Sequence, residues 1–429
     1  MNRRNLMLVM HLFLAFLSIG TTIVHAADMP VKLQITDLKQ LLQQFSDNAI
    51  TVNKPPSPPN DLLAKRALTI TWRKIRALGK PGIEALASLL DHPDDAVRME
   101  AAIRLLPYRT DKAKAVLQSL KKHNKLPCYK YKPEYTLSQW DSCPWSDEGA
   151  SAKKSLTLQE LKAQISKAGF DAHADQLLKA VRDAIVMKSE ACDEDEIPVG
   201  SSKLAGMPDL PPDTAWPLFQ NKPMSFICQL RLDQVAALDT KSVLPKEGML
   251  YFFYNGSNLS FGEWPKDRGS GMVLYFNGDQ KTLQRRAFPD KLEWRYYPCA
   301  LTFSRQLVLP SVNSELVERL RLPEKAIAQY RSLLDNIACM QGGPLPSADL
   351  KGHKLLGYPD DIQFGDVLQD CPKLKAGYVW EQLLQVTSDE ESDMFWGVNG
   401  CLYYCIPQGA GTGPGPRQFE NAWVVVQCG

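Results

Sequence analysis

Hydrophobic positions along the chain change texture near residue 190. Before it they recur at helical spacing; after it they form short β-type runs broken by Gly and Pro. Leu38, Leu41, Leu42 and Phe45 predict an amphipathic helix within residues 27–53. The prolines of 54–60 predict a stiff, extended linker. Four helical stretches follow within 61–127. Leu68, Trp72 and Ile75 mark the first; Pro81 opens the second, with Ile83, Leu86, Leu89 and Leu90. The third runs from Ala96 to Leu106 and stops at Pro107, and the fourth starts near Asp111. Residues 128–155, rich in aromatics and proline, predict an irregular connection. Thr157 and Glu160 fit a capping box, and a further helix is expected to carry Leu177, Leu178, Val181 and Ile185.

From Cys192 onward strands are expected at Met224–Leu230, Gly248–Tyr254, Met272–Phe276, Leu292–Tyr297, Leu355–Tyr358, Gln382–Val386, Gly400–Ile406 and Ala422–Gln427. One helical pattern interrupts them, around Val317–Leu334. An internal echo stands out. Gln229-Leu230-Arg231-Leu232-Asp233 leads to Gly248 and an aromatic run, and Gln385-Val386-Thr387-Ser388-Asp389 leads to Gly400 and another. The echo predicts a duplicated β half, with two related sheets and a cleft or shared core between them. The fold class is α+β, a helical N-terminal region followed by a β-rich domain with two related antiparallel sheet halves.

The N-terminus adds a compartment. Arg3 and Arg4 precede an apolar run and the small residue Ala26, which predicts a signal peptide over 1–26 and a periplasmic or secreted protein with no stable membrane span after cleavage. The chain of 429 residues has a formal charge of +2, and those two arginines account for it. A neutral chain without a basic aromatic stripe argues against nucleic-acid binding. All ten cysteines follow residue 26, where an oxidising compartment permits disulfides. Cys128 and Cys143 bracket one segment and are the expected local bridge, worth about 3 kcal/mol for a loop of that size. Cys401 and Cys405, about 13 Å apart along one strand, are too far apart to pair with each other.

Two resemblances emerge. The Asp91–Asp94 turn, Val97-Arg98 and the small Ala101 and Ala102 resemble HEAT-type helical repeats. Ser202-Lys203-Leu204-Ala205-Gly206-Met207-Pro208-Asp209 with Trp216-Pro217, Gly352-His353-Lys354-Leu355-Leu356-Gly357-Tyr358-Pro359, and the closing Trp396-Gly397, Leu402-Tyr403 and Val425–Cys428 resemble the YwqG-like family. That resemblance spans about residues 156–428, within a domain taken as 156–429. It implies a β-rich α+β fold without an established function, in proteins often encoded near toxin systems. Two positions depart from the pattern: Ala205 where glycine is usual, and Val398 where an aspartate often follows Trp-Gly.

Catalytic patterns are weak. The glycine-rich 409–415 stretch lacks a lysine and a following helix, so a phosphate loop is not expected. Neither a metal site nor a cofactor is expected. Asp193-Glu194-Asp195-Glu196 is expected to be a solvated loop. The candidate binding residues are Trp216, Gln229, His353, Gln385, Asp389 and Trp396, with Trp216 and Trp396 expected at a surface. The expected function is that of an exported, non-enzymatic binding protein whose partner is a protein, such as a toxin neutralised in the periplasm. The alternatives are a small-molecule or cell-wall glycan binder, and an enzyme assembled from distant residues.

Overall fold

The helices form where the apolar spacing placed them. In the computed structural model, which describes residues 35–53, 61–123, 127–142, 155–256, 260–342, 352–363, 365–409 and 416–429, they are α1 (Ile35–Asn53), α2 (Asp61–Ala77), α3 (Lys80–Ala87), α4 (Asp95–Leu105), α5 (Thr110–His123) and α6 (Pro127–Ser142). The expected signal peptide, the linker and Cys143 lie outside the described residues, as does the side chain of Cys128. Asp94 caps α4 by accepting the Ala96 amide. Buried Ala101 and Ala102 let neighbouring helices approach it closely. Helix α6 corrects the expected irregular connection. Tyr129, Pro133, Thr136 and Trp140 are all buried and recur at helical spacing, and that apolar stripe outweighs the one hydrogen bond removed by Pro133.

Glu100 ties three helices together from the middle of α4. Its carboxylate accepts Asn53 Nδ2 at 2.9 Å from α1 and Lys132 Nζ at 2.6 Å from α6, and pairs with Arg104 at 2.6 Å. Burial alone would raise its pKa, but Arg104 and Lys132 outweigh burial and hold it down at about 2. The folded value lies below the unfolded 4.5. This stability is therefore present above about pH 4.5 and lost as pH falls towards 2. Glu100→Gln should flatten the acid limb of a stability-against-pH curve measured by urea unfolding.

Beyond a capped helix α7 (Leu158–Lys167) and α8 (Ala174–Lys179), the chain enters one 10-stranded antiparallel sheet. Its strands are β1 (Arg182–Ala191), β2 (Lys203–Leu204), β3 (Ser225–Arg231), β4 (Met249–Tyr254), β5 (Gly271–Phe276), β6 (Cys299–Val308), β7 (His353–Leu356), β8 (Tyr378–Thr387), β9 (Cys401–Gly409) and β10 (Trp423–Gln427). The spatial order is β10-β9-β8-β7-β1-β6-β2-β3-β4-β5. It reads as two equivalent halves meeting at β1 and β6, which pair from Arg182↔Val308 to Ala191↔Cys299. Each half also borrows from the other, since β7 pairs with β1 and β2 with β6. Both β3 and β8 carry a bulge at the matching place, at Ile227 and Leu383. The echo is thus a duplication within one sheet, which corrects the expectation of two related sheets.

The sheet curls until β5 and β10 approach, with Gly271 against Val424. Alternation along β4 and β9 explains why both faces are covered. Leu250, Phe252 and Tyr254 meet Leu402, Tyr404 and Ile406 in a core shared by both halves, so the space between them is packed. Met249, Tyr251 and Phe253, and on the other half Cys401, Tyr403 and Cys405, fill two outer clusters. Helices α7, α8 and α10 (Glu324–Met340) pack with Leu307 and Leu309 of the β6 segment. Arg321, with φ of 50°, and Pro323 separate α10 from the short α9 (Glu315–Arg319). Helix α11 (Pro416–Glu420) packs on β5 and β9.

Two expectations about the central strands are corrected. Ile185, read as the end of a helix, lies in β1, and Leu292–Tyr297 is not a strand; the strand begins at Cys299. Among the described residues no helix is long and apolar enough to cross a membrane.

Candidate functional site

The duplication places the same side-chain cluster in each half. After Lys203 on β2 the chain turns through Ala205 and Gly206, at φ 58° and 71°, and reaches Pro208-Asp209. After Lys354 on β7 it turns through Leu356 and Gly357, at φ 62° and 77°, and reaches Pro359-Asp360. A left-handed residue at this turn gives a physical reason for glycine where Ala205 stands. Gly206 has a second constraint, because a Cβ there would lie 2.3 Å from Glu194 Oε2.

Both expected glutamines organise these turns. Lys203 pairs in register with Gln229, and Lys354 with Gln385. Gln229 Oε1 accepts the Asp209 amide at 2.8 Å, while its Nε2 donates to Asp209 Oδ2 at 2.8 Å and to the Ser201 carbonyl. Gln385 does the same for the Asp360 amide (2.9 Å), Asp360 Oδ2 (3.0 Å) and the Gly352 carbonyl. Tyr251 Oη donates to the Asp209 carbonyl and Tyr403 Oη to that of Asp360.

The two copies then diverge. In the first, Glu194 accepts Lys203 Nζ at 2.7 Å on Oε1 and the Met207 amide at 2.9 Å on Oε2, and Arg285 Nε donates to Asp209 Oδ1 at 2.9 Å. Lys203 and Asp209 are completely buried, and burial pulls the Lys203 pKa down against the raising effect of Asp209 and Glu194. This corrects the solvated-loop expectation, since Glu194 and Glu196 are half-buried and ion-paired.

In the second copy Ser311 stands where Glu194 stands in the first, each being the third residue after its central strand. The serine hydroxyl donates to Asp361 and accepts the Asn313 amide in place of Lys354, and a cavity of about 400 Å³ opens between α10, the Ser311–Asn313 turn and the Tyr358–Gln363 segment. Leu309, Val312, Leu334 and Ile337 give it an apolar wall. Lys354 Nζ reaches Asp360 Oδ1 at 2.7 Å and the Tyr358 carbonyl at 2.8 Å. Arg331 lines it too, is exposed, and makes no ion pair or hydrogen bond among the described residues.

Asp361 also lines this cavity. Burial, reinforced by Asp366 and Asp360, raises its pKa from 3.8 to about 7, against hydrogen bonds from Ser311 Oγ and the Val367 amide. With the folded value above the unfolded one, its contribution to stability is full below about pH 3.8 and lost as pH rises through 7. Asp361→Asn should remove that slope from urea midpoints measured across the same window.

The remaining expected residues lie elsewhere. His353 Nε2 and Ser189 Oγ both contact Asp389 Oδ2, at 2.8 and 2.6 Å, and His353 Nδ1 accepts the Thr387 amide. The hydrogen-bond pattern therefore assigns the ring proton to Nε2. Burial would raise the Asp389 pKa, but His353 and further hydrogen bonds lower it. Asp389 Oδ1 accepts the amides of Glu391 and Ser392, so this trio shapes a turn under α2 and does not line the cavity. Trp216 is half-buried against Phe253 and Phe288. Trp396, expected at a surface, is 1% exposed between Tyr254 and Tyr296. Lys354, Asp360, Asp361, Ser311 and Arg331 were not singled out from sequence. The signal for the first two was present as Lys-Leu-Ala-Gly-Met-Pro-Asp against Lys-Leu-Leu-Gly-Tyr-Pro-Asp.

Fold and site together define an α+β protein, a helical N-terminal region followed by an internally duplicated sheet, one copy of its polar cluster plugged and the other open. The chain matches the model of a family described as a domain of unknown function, DUF1963, over residues 202–428, more than half of its length, and it belongs to that family. No curated protein matches it. The matched span starts at the first cluster and omits β1, although β1 lies at the centre of the sheet.

Proposed function

We propose that the protein is an exported, non-enzymatic binding protein that holds a small molecule in the cavity of its second half. The observation that carries this is the difference between equivalent clusters, one closed by Glu194 and Arg285 and the other facing about 400 Å³ of empty space. A volume of that size with an apolar wall and a few convergent polar groups is typical of small-molecule sites. The basic and then apolar N-terminus supports export, and the likeness to YwqG-like proteins and HEAT-type helices supports a scaffold that binds. Toxin neutralisation, the role expected from sequence, would be a protein-binding role of the same scaffold. Native mass spectrometry of the full chain from its own cell envelope tests the cavity reading. A bound small molecule should be present, and lost in Val312→Trp, which fills the cavity. A wild-type protein that carries none, and that binds neither octanol nor octanoate by saturation-transfer NMR, would sink it.

One observation favours a second reading, an enzyme. Asp361 is a carboxyl in a cavity whose pKa of about 7 suits general acid–base work. Against it, both Asp361 oxygens are already engaged by Ser311 and Val367. Conversion of the bound molecule by wild type and not by Asp361→Asn would establish the enzyme; retention of the same molecule by both supports binding.

A further inference from the structure

The plugged half shows what the open half lacks. Glu194 presents two carboxylate oxygens, one to an ammonium and one to a backbone amide four residues further along. The second half keeps both of those receivers. Lys354 Nζ has three N–H groups and uses two, on Asp360 and on the Tyr358 carbonyl. The Tyr358 amide, equivalent to that of Met207, donates to nothing among the described residues. Lys354 and Tyr358 both line the cavity, as does Ser311, the residue at the position equivalent to Glu194.

We propose that the ligand of the second half carries a carboxylate, which bridges the Lys354 ammonium and the Tyr358 amide as Glu194 bridges Lys203 and the Met207 amide. The inference rests on the cavity being a ligand site and adds the chemical class. The rest of the ligand is apolar, because the wall beyond Lys354 is Leu309, Leu334 and Ile337. Carboxylate specificity arises because the two anionic oxygens of one carboxylate satisfy the unused ammonium donor and the unused amide together, whereas an alcohol offers a single neutral oxygen. Asp360 already balances the charge of Lys354, so a second carboxylate is held by donor geometry together with the unpaired guanidinium of Arg331 at the wall.

The test compares matched probes, octanoate with octanol and 3-phenylpropanoate with 3-phenylpropanol, by calorimetry and saturation-transfer NMR on the full chain. Each acid should bind wild type about tenfold or more tighter than its alcohol, the worth of one charge-assisted hydrogen bond. The double variant Lys354→Met, Asp360→Asn removes the pair without leaving a lone buried charge. It should bring the acids down to the alcohols and leave the alcohols unchanged. Ser311→Glu, which recreates the plug, should exclude the acids while keeping the thermal midpoint at or above that of wild type. Equal binding of acid and alcohol to wild type would overturn the carboxylate inference and leave the cavity reading standing. Absence of binding by all four probes would overturn both.

Discussion

Glu194→Ala is expected to cost about 3–5 kcal/mol in urea unfolding, an effect usually reserved for large core residues. The side chain is only half-buried, yet its partner Lys203 is fully enclosed. Removing the carboxylate leaves a buried ammonium facing Asp209 at 3.6 Å, with Asp209 already shared among Gln229, Arg285 and the Gly200 amide. It also strands the Met207 amide. Breaking a buried pair from one side is costly because no water replaces the lost carboxylate, and the Lys203 ammonium keeps only the longer contact to Asp209 and the Met207 carbonyl. Glu194→Gln keeps an oxygen for Lys203 and should cost roughly half as much. Ser311→Ala, at the equivalent place in the open copy, should cost about 1–2 kcal/mol, since its two hydrogen bonds, one to Asp361 and one from the Asn313 amide, are removed beside a cavity that water can enter. Similar losses for Glu194→Ala and Ser311→Ala would refute the contrast between a plugged and an open cluster.

The parts of this architecture that follow local pattern were readable from sequence. Helical spacing placed α1 to α5, and the Gln–aromatic echo located β3, β4, β8 and β9 in their related halves. The central pair was harder. Leu177, Val181 and Ile185 recur at helical spacing, but the helix ends at Lys179 and β1 then buries both faces, erasing the alternation that marks a half-exposed strand. In β6, Arg305 and Gln306 look like surface residues; Arg305 pairs with Asp183 at 2.6 Å, and Gln306 is buried with its amide on the Gln341 carbonyl. The glutamines at the heart of both clusters were legible as repeated positions. The cavity was not, because it depends on serine replacing glutamate at places equivalent only once β1 and β6 are paired. The acidic run at 193–196 misled for a related reason: three of its cationic partners, Arg73, Lys74 and Arg285, are distant along the chain, and the nearer one, Lys203, is buried in β2.

Those partners lead to the second large effect, expected for Arg66→Ala. Arg66 projects from α2 into the β domain. Its guanidinium donates to the carbonyls of Cys192, Pro298 and Glu391 and lies 5.1 Å from the Tyr297 ring centre. Three carbonyls lose the Arg66 donor together, that of Pro298 keeping the Cys192 amide at 3.4 Å, at about 1–3 kcal/mol each where water cannot replace it. A total near 4 kcal/mol is expected, because partial hydration of the vacated space makes the three losses less than additive. Arg73 and Lys74 grip Glu196 and Asp193 from the same helix, while Thr69 Oγ1 donates to Glu391. The helical region therefore fastens the Cys192–Glu196 segment on both sides of Glu194, the residue that closes the first cluster. Loss of Arg66 should weaken that hold. Hydrogen exchange should then speed up at 192–197 and in α2 before the rest of the sheet, and urea unfolding should separate into a helical and a β transition. Arg66→Lys, a point charge unable to reach all three acceptors, should recover roughly half the loss. A single transition at the wild-type midpoint in Arg66→Ala would mean that the helices and sheet are joined by surface ion pairs alone, each worth about 1 kcal/mol or less.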